Sequence, residues 1–318
     1  MIDVFVTVDT EIWCDGWTDL DRTFPDAFRK YVYGPTAAGN YGLPLIFQIL
    51  RDHGLSASFF VEPMFSLRFG AAPLQEIVGL IRAAGSEIQL HVHTEWVDEA
   101  KVKVLPRVHP KRQALSEYSS VEQSELLRVG LRLLDRAGAG KVSAFRAGGF
   151  GMGPDTLQAV AANGLPIDTS FDISQGLPVN AVLECLQPTH FGPVVEYPLT
   201  VFRDGLGRLR HLQVGACSSG ELEKVHWAAM ESGWTAIVIL FHNFEMLTPS
   251  KTAPDRVVAR RFERLCRFLG DNNDVFRVRG FNDLYVRCPS GAVSPLAVGL
   301  MPTAHRWLQQ ATRRIAYR

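Results

Sequence analysis

Cysteine is scarce: five residues in 318, at positions 14, 185, 217, 266 and 288. None stands at C-x-x-C spacing, which excludes a zinc ribbon and a thioredoxin-like redox motif. The odd count suits reduced thiols in a reducing compartment. Long apolar runs are missing too, and no stretch of about 18 apolar residues exists to span a bilayer. Charge of one sign is absent, with 33 Lys and Arg against 33 Asp and Glu. No global basic field therefore holds nucleic acid. The opening MIDVFVTVDTE lacks the basic flank and apolar core of a secretory signal, so the expected location is cytoplasmic. No linker rich in Pro, Gly and Ser divides the chain, and no internal repeat is evident. What is present is 47% hydrophobic and 21% charged, ordinary for a globular protein. A chain of this length buries a core without disulfides or structural metal.

Residues 2–8, IDVFVTV, are β-branched and aromatic and read as a buried strand ending at Asp9. Residues 10–34 have little periodicity and read as a long loop. Helices are predicted at 42–53, 73–85, 121–138, 155–164, 220–233 and 256–270. Strands are predicted at 56–62, 86–93, 142–148, 165–171, 193–202, 209–216, 234–242 and 275–284. Strands alternating with helices of ten to eighteen residues signal a parallel sheet with crossover helices. Around seven such units in one chain favour a closed barrel over an open sheet. The expected fold is α/β: a single distorted (β/α)7-type barrel over 1–290 with a C-terminal helical extension over 291–318. The end of that extension is an amphipathic, basic helix candidate, which either docks on the barrel or meets a membrane surface or partner.

In a parallel barrel the chemistry sits at the C-terminal strand ends, and here each end carries polar groups. The first strand ends in Asp9-Thr10-Glu11, and the third in His91-Val92-His93-Thr94-Glu95. Arg146, Asp168 and His242 stand at later ends. Asp9 and Glu11, two apart, share a face of an extended chain. One carboxylate can hold a divalent ion while the other takes a proton from water. His91 and His93 share a face in the same way. Glu11, His91 and either His93 or Glu95 supply three N/O ligands, the composition of a catalytic zinc-type site. His242 can protonate a leaving group near neutral pH. Arg146, in FRAGGFGMG, can keep a carboxylate ionised, and glycines such as Gly148 permit close approach of substrate. Trp13, Trp17 and Trp96 lie just past strand ends, where each offers a flat face for a sugar ring or rim packing. The basic run KVKVLPRVHPKR (101–112) is either a solvated face or a contact for an anionic substrate.

Five ordered motifs, VTVDTE (6–11), EIQLHVHTEW (87–96), AFRAGG (144–149), IDTSFD (167–172) and ILFHNFE (239–245), give the chain its likeness. Over roughly residues 1–285 it resembles the polysaccharide deacetylase superfamily, NodB-like and related to carbohydrate esterase family 4. The resemblance implies a metal-dependent hydrolase that removes an N-acyl group, acetyl or formyl, from an amino sugar or glycan precursor. It casts Asp9 as general base, Glu11 and His91 as metal ligands, and Arg146 as the group orienting the base. Asp168 would help order the arginine and line the pocket, and His242 would be the general acid. The implied cofactor is one divalent ion, zinc first, with cobalt, nickel or manganese as alternatives. The implied partner is an acylated amino sugar, nucleotide sugar or lipid-linked glycan precursor. Two departures stand out: Thr10 separates the first-motif acids, and Glu95 occupies the place of the family's second histidine. Two other readings remain open: a non-catalytic carbohydrate-binding protein of the same fold, and another barrel-type amidohydrolase or phosphoesterase.

Overall fold

Strand β1 (Ile2–Thr10) is buried along its whole length, and its alternation explains the architecture. Val4, Val6 and Val8 point outward into the layer of helices. Phe5 points inward and stacks on Phe281, with ring centroids 4.4 Å apart. Thr7 and Asp9 share that inward face, because side chains alternate along a strand. The inward face thus runs from Asp3, paired with Arg277 and Arg287, through apolar Phe5 to a polar C-terminal end.

The computed structural model describes residues 1–107, 111–175, 185–289, 291 and 293–316. The central nine-stranded sheet contains β1, β2 (Ser58–Val61), β3 (Glu87–Val92), β4 (Ala144–Ala147), β5 (Ile167–Asp168), β6 (Thr189–Phe191), β7 (Val194–Glu196), β8 (Ala236–His242) and β9 (Phe276–Val278). Its order runs β8-β1-β2-β3-β4-β5-β7-β6, with β9 beside the start of β1. β6 pairs antiparallel to β7; the other pairings are parallel. The far edge of β8 is met by the chain leaving β7, through Thr200 N–H to Val238 O (3.2 Å), Leu240 N–H to Leu212 O (2.9 Å) and Val214 N–H to Leu240 O (3.0 Å). That contact curls the sheet into the distorted barrel expected.

Helices cover the outside: α1 (Leu20–Phe28), α2 (Leu43–Asp52), α3 (Ala71–Ala83), α4 (Ser120–Ala137), α5 (Pro154–Ala162), α6 (Ser219–Glu231), α7 (Arg256–Asp271) and α8 (Leu300–Ala316). Ser119 opens α4 and Ser218 opens α6, each accepting from the N–H three residues on while a glutamate there reaches back. Such reciprocal capping satisfies two otherwise orphaned backbone donors.

Several expectations need correction. The expected loop at 10–34 contains α1, whose buried Leu20, Phe24, Ala27 and Phe28 follow helical spacing. Pro25 inside the helix disguises it, since proline usually interrupts one. The expected strand 193–202 is split. Pro198 has no N–H for the ladder, so β7 ends at Glu196 and Val201–Arg203 joins a separate sheet with Leu209–His211 and Leu296–Ala297. The strands expected at 165–171 and 275–284 shorten to Ile167–Asp168 and Phe276–Val278. Among the described residues no helix is long and apolar enough to cross a membrane.

Candidate active site

Parallel registers align the chemistry. Asp9 on β1 lies opposite His242 on β8, and His91 on β3 lies opposite Arg146 on β4. The inward face of β1 then stacks a polar layer above the apolar plug. Arg146 is fully buried, with its guanidinium carbon 4.3 Å from the centre of the Phe60 ring. It donates to Asp9 Oδ1 (2.5 Å), Thr7 Oγ1 (2.9 Å), the Thr169 carbonyl (3.1 Å) and Thr169 Oγ1 (3.1 Å). This fork holds the Asp9 carboxylate in one orientation at the base of the site.

Glu11 sits one face-turn above, also buried. Asn243 clamps its backbone, accepting from Glu11 N–H (3.1 Å) and donating to Glu11 O (3.1 Å) and Tyr31 O (2.6 Å). That side chain acts as one more rung of a sheet, locking β1 to the end of β8. Glu11 Oε2 accepts from Trp13 Nε1 at 2.7 Å. Its Oε1 lies 3.1 Å from His91 Nε2 and 3.0 Å from His93 Nε2. Two overlapping groups gather here with ligand atoms within 4.8 Å of one another: Glu11, His91 and His93; and Asp9, Glu11 and His242.

The donor chemistry decides whether a cation fits. His91 Nδ1 is 2.8 Å from the Arg146 carbonyl, which can only accept, so that nitrogen carries a proton. A neutral His91 therefore aims its Nε2 lone pair at the Glu11 oxygen, acceptor against acceptor. His93 repeats the pattern, with Nδ1 3.3 Å from Glu95 Oε2. An imidazole whose Nδ1–H is held by a carbonyl or carboxylate, leaving Nε2 free, is the usual arrangement around a protein-bound metal. A divalent ion fits these three donors. Burial disfavours the Glu11 anion, but His93, His91 and His242 hold its carboxyl well below the usual range. Burial likewise disfavours protonated His93, yet Glu11 and Glu95 raise its pKa well above the ordinary value.

His242 Nε2 faces Glu11 Oε1 at 3.9 Å, and its Nδ1 meets Glu245 Oε1 at 2.6 Å. Burial alone would lower its pKa. The hydrogen bond to Glu245 and the charges of Glu11, Glu245 and Asp9 outweigh burial and raise it to about 9. Glu245 is fixed in turn by Gln213 Nε2 (2.5 Å) and the Gly215 N–H (2.7 Å). Gln213 continues to His211 (3.0 Å), which meets Asp172 Oδ2 at 2.8 Å.

Sequence reasoning missed Glu245, Gln213, Asn243, Thr7 and Thr169. Glu245 stood in the quoted ILFHNFE motif, and its three-residue offset from His242 was the available signal. The structure places the other expected site residues as follows. Glu95 lies behind His93, its Oε2 3.3 Å from His93 Nδ1, while His93 Nε2 faces Glu11 Oε1 at 3.0 Å. Arg146 makes its hydrogen bonds on this side to Thr169, while Asp168 interacts with it through charge. Asp168 also forms a buried carboxyl pair with Glu196, whose pKa is driven well up by burial and by the Asp168 charge. Trp96 is buried against Phe65, Phe69 and Trp17 and offers no face to a sugar. Gly148 is buried, and a Cβ there would come within 2.7 Å of the His93 ring and 2.8 Å of Val92 O, so its smallness serves His93. Trp13 and Trp17 are partly exposed, and Trp13 packs edge-on to His93. Within the basic run, Lys111 pairs with Glu99 and Arg112 with Glu122 at 3.2 Å. Residues 108–110 lie outside the described residues.

No family model matches the sequence, and no curated protein matches it. Solved structures do. A Mycobacterium smegmatis protein provisionally named a polysaccharide deacetylase is 18% identical with a TM-score of 0.54, the match covering 98% of this chain and 91% of that one. The chain has the polysaccharide deacetylase fold. A family 4 carbohydrate esterase from Streptomyces lividans, solved with acetate, is 13% identical with a TM-score of 0.44, covering 86% and 89%. The peptidoglycan deacetylase PdaC from Bacillus subtilis, solved as a point mutant, is 10% identical with a TM-score of 0.40, covering 99% and 96%. The deacetylase fold places the strand ends of β1, β3, β4 and β8 at one mouth, where the groups above meet.

Glu245→Gln removes the anion that raises His242, so the pKa of the imidazole falls. If His242 delivers a proton, the alkaline limb of the kcat profile then moves to lower pH, which a pH–rate series measures. An unmoved limb would dissociate Glu245 from the step. The same pairing stabilises the fold. Since the folded imidazole binds its proton more tightly than the unfolded one, the contribution is complete below about pH 6.5. It is lost as pH rises through about 9.

Proposed function

We propose that the chain is a metal-dependent hydrolase that removes an N-acyl group, acetyl or formyl, from an amino sugar or glycan precursor. One observation carries this reading. An Arg146-held carboxylate, a Glu11–His91–His93 donor set and a Glu245-held imidazole meet at one end of a deacetylase-fold barrel.

Glu11, His91 and His93 would hold the ion, zinc by its preference for such N/O sets, with cobalt, nickel or manganese as alternatives. When bound, the ion polarises the acyl carbonyl and acidifies water. The remaining steps fall to the chain. Asp9, oriented by Arg146, takes a proton from the attacking water. His242, held by Glu245, delivers a proton to the departing amine nitrogen. Trp13 and the partly exposed Trp17 border the opening where a sugar ring would lie. All five cysteines are free thiols, which suits a reducing, cytoplasmic setting.

The test is a mass-spectrometric screen of acylated amino sugars, free, nucleotide-linked and lipid-linked, against protein loaded with each metal. The expected result is loss of an acyl mass from one class, abolished by EDTA and restored by added metal. Turnover that ignores EDTA, or none across metals and substrates, would overturn the assignment.

A further inference from the structure

Helix α8 is inside out. A helix on a globular surface normally turns its apolar stripe to the core. Here the inward face is polar. Thr303 accepts from the Gly205 N–H (2.8 Å), and Arg306 bridges Asp204 (2.8 Å) and Glu221 (2.6 Å). Gln309 accepts from Arg261 (2.7 Å), and Arg313 pairs with Asp255 (2.6 Å). The outward face carries Met301, 85% exposed, Leu308, 66%, Ile315, 79%, and Trp307, 47%. Ala304 and Ala311, also exposed, fill the gaps. The spacing of 301, 304, 308, 311 and 315 makes this one continuous stripe.

We propose that α8 anchors the protein to an anionic lipid surface, lying in the interface with this stripe buried and its polar face fastened to the barrel. Its 17 residues are too few and too charged to cross a bilayer, but an interfacial helix needs only one apolar face and basic flanks. The flanks are present. Across the groove from Leu308, α7 exposes Arg260, Arg264 and Arg267, and Arg314 is exposed on α8 itself. Glu223 and Glu263 are the carboxylates nearby, and Glu223 is already tied to Arg264 at 2.6 Å. A second copy docked through the same stripe would bring these arginine rows together, whereas phosphate headgroups complement them. The anchor also touches the end of the barrel that holds the candidate site. Arg313 donates to the Gly215 carbonyl (3.2 Å), and the Gly215 N–H holds Glu245.

The inference needs none of the proposed chemistry and is tested on the full chain by co-sedimentation with vesicles. Wild type should pellet with vesicles containing phosphatidylglycerol, less with phosphatidylcholine alone, and less as salt rises. Leu308→Ser with Ile315→Ser should weaken the partition about ten-fold or more while leaving the melting temperature unchanged, since both side chains are mostly exposed. Arg260→Glu with Arg267→Glu should remove the preference for anionic vesicles. Wild type that stays in the supernatant, or serine variants that pellet undiminished, would overturn the proposal. So would a solution dimer that the serine substitutions dissociate, which would assign the stripe to a second copy.

Discussion

Replacing Asp9 with asparagine is expected to lower turnover by about 10²- to 10⁴-fold, the usual contribution of a positioned general base, while metal content stays at the wild-type level. The introduced amide is isosteric with the carboxylate and its oxygen can still accept from Arg146, so the pocket keeps its shape. What it loses is the ability to take a proton. The metal should stay because Glu11, His91 and His93 form a donor set that excludes Asp9. Elemental analysis and a steady-state assay on the same preparation check both halves. Near-normal turnover would remove Asp9 from the role of base. Full loss together with loss of metal would make it a ligand, bringing the overlapping Asp9, Glu11 and His242 group into use.

The positions of the candidate groups were legible because each charged residue ends an apolar run. A buried, unpaired charge is costly, so Asp9, Glu11, His91, Arg146 and His242 at strand ends needed a shared explanation. Their partners were harder to read. Glu245 orients His242 from a turn whose path depends on tertiary packing. Thr169, not its neighbour Asp168, hydrogen-bonds Arg146, because adjacent residues near a strand end point in opposite directions. Trp96 closes the quoted EIQLHVHTEW motif and looked like a rim residue, but three aromatic neighbours bury it. The tail was legible as amphipathic and basic. Which face it turns inward was not, since that depends on Asp204, Glu221 and Asp255, acids from distant parts of the chain whose meeting with Arg306 and Arg313 only the fold creates. α1 hid behind Pro25 although its apolar spacing was helical.

The same burial that makes Asp9 a defined base makes the Asp9–Arg146 pair a large stability term. Arg146→Met keeps most of the side-chain volume but leaves the Asp9 carboxylate in the barrel without its counter-charge. Breaking a buried ion pair on one side typically costs about 3–5 kcal/mol, and this arginine also ties down Thr7 and Thr169. Urea unfolding should therefore show a large fall in the midpoint for Arg146→Met. Asp9→Asn should show a smaller one, because an amide oxygen still meets the guanidinium. The decisive variant is the double one. Asp9→Asn with Arg146→Met removes both charges, so its loss should fall short of the sum of the singles by roughly 0.5–3 kcal/mol, the range for groups in direct contact. The wild-type attraction would then appear as a coupling energy separate from the packing lost at Phe60. Losses that simply add would mean that the fold does not depend on the pair as a pair. Arg146 would then hold the barrel mainly through the threonines and the Phe60 face, and the orientation of Asp9 would need another cause.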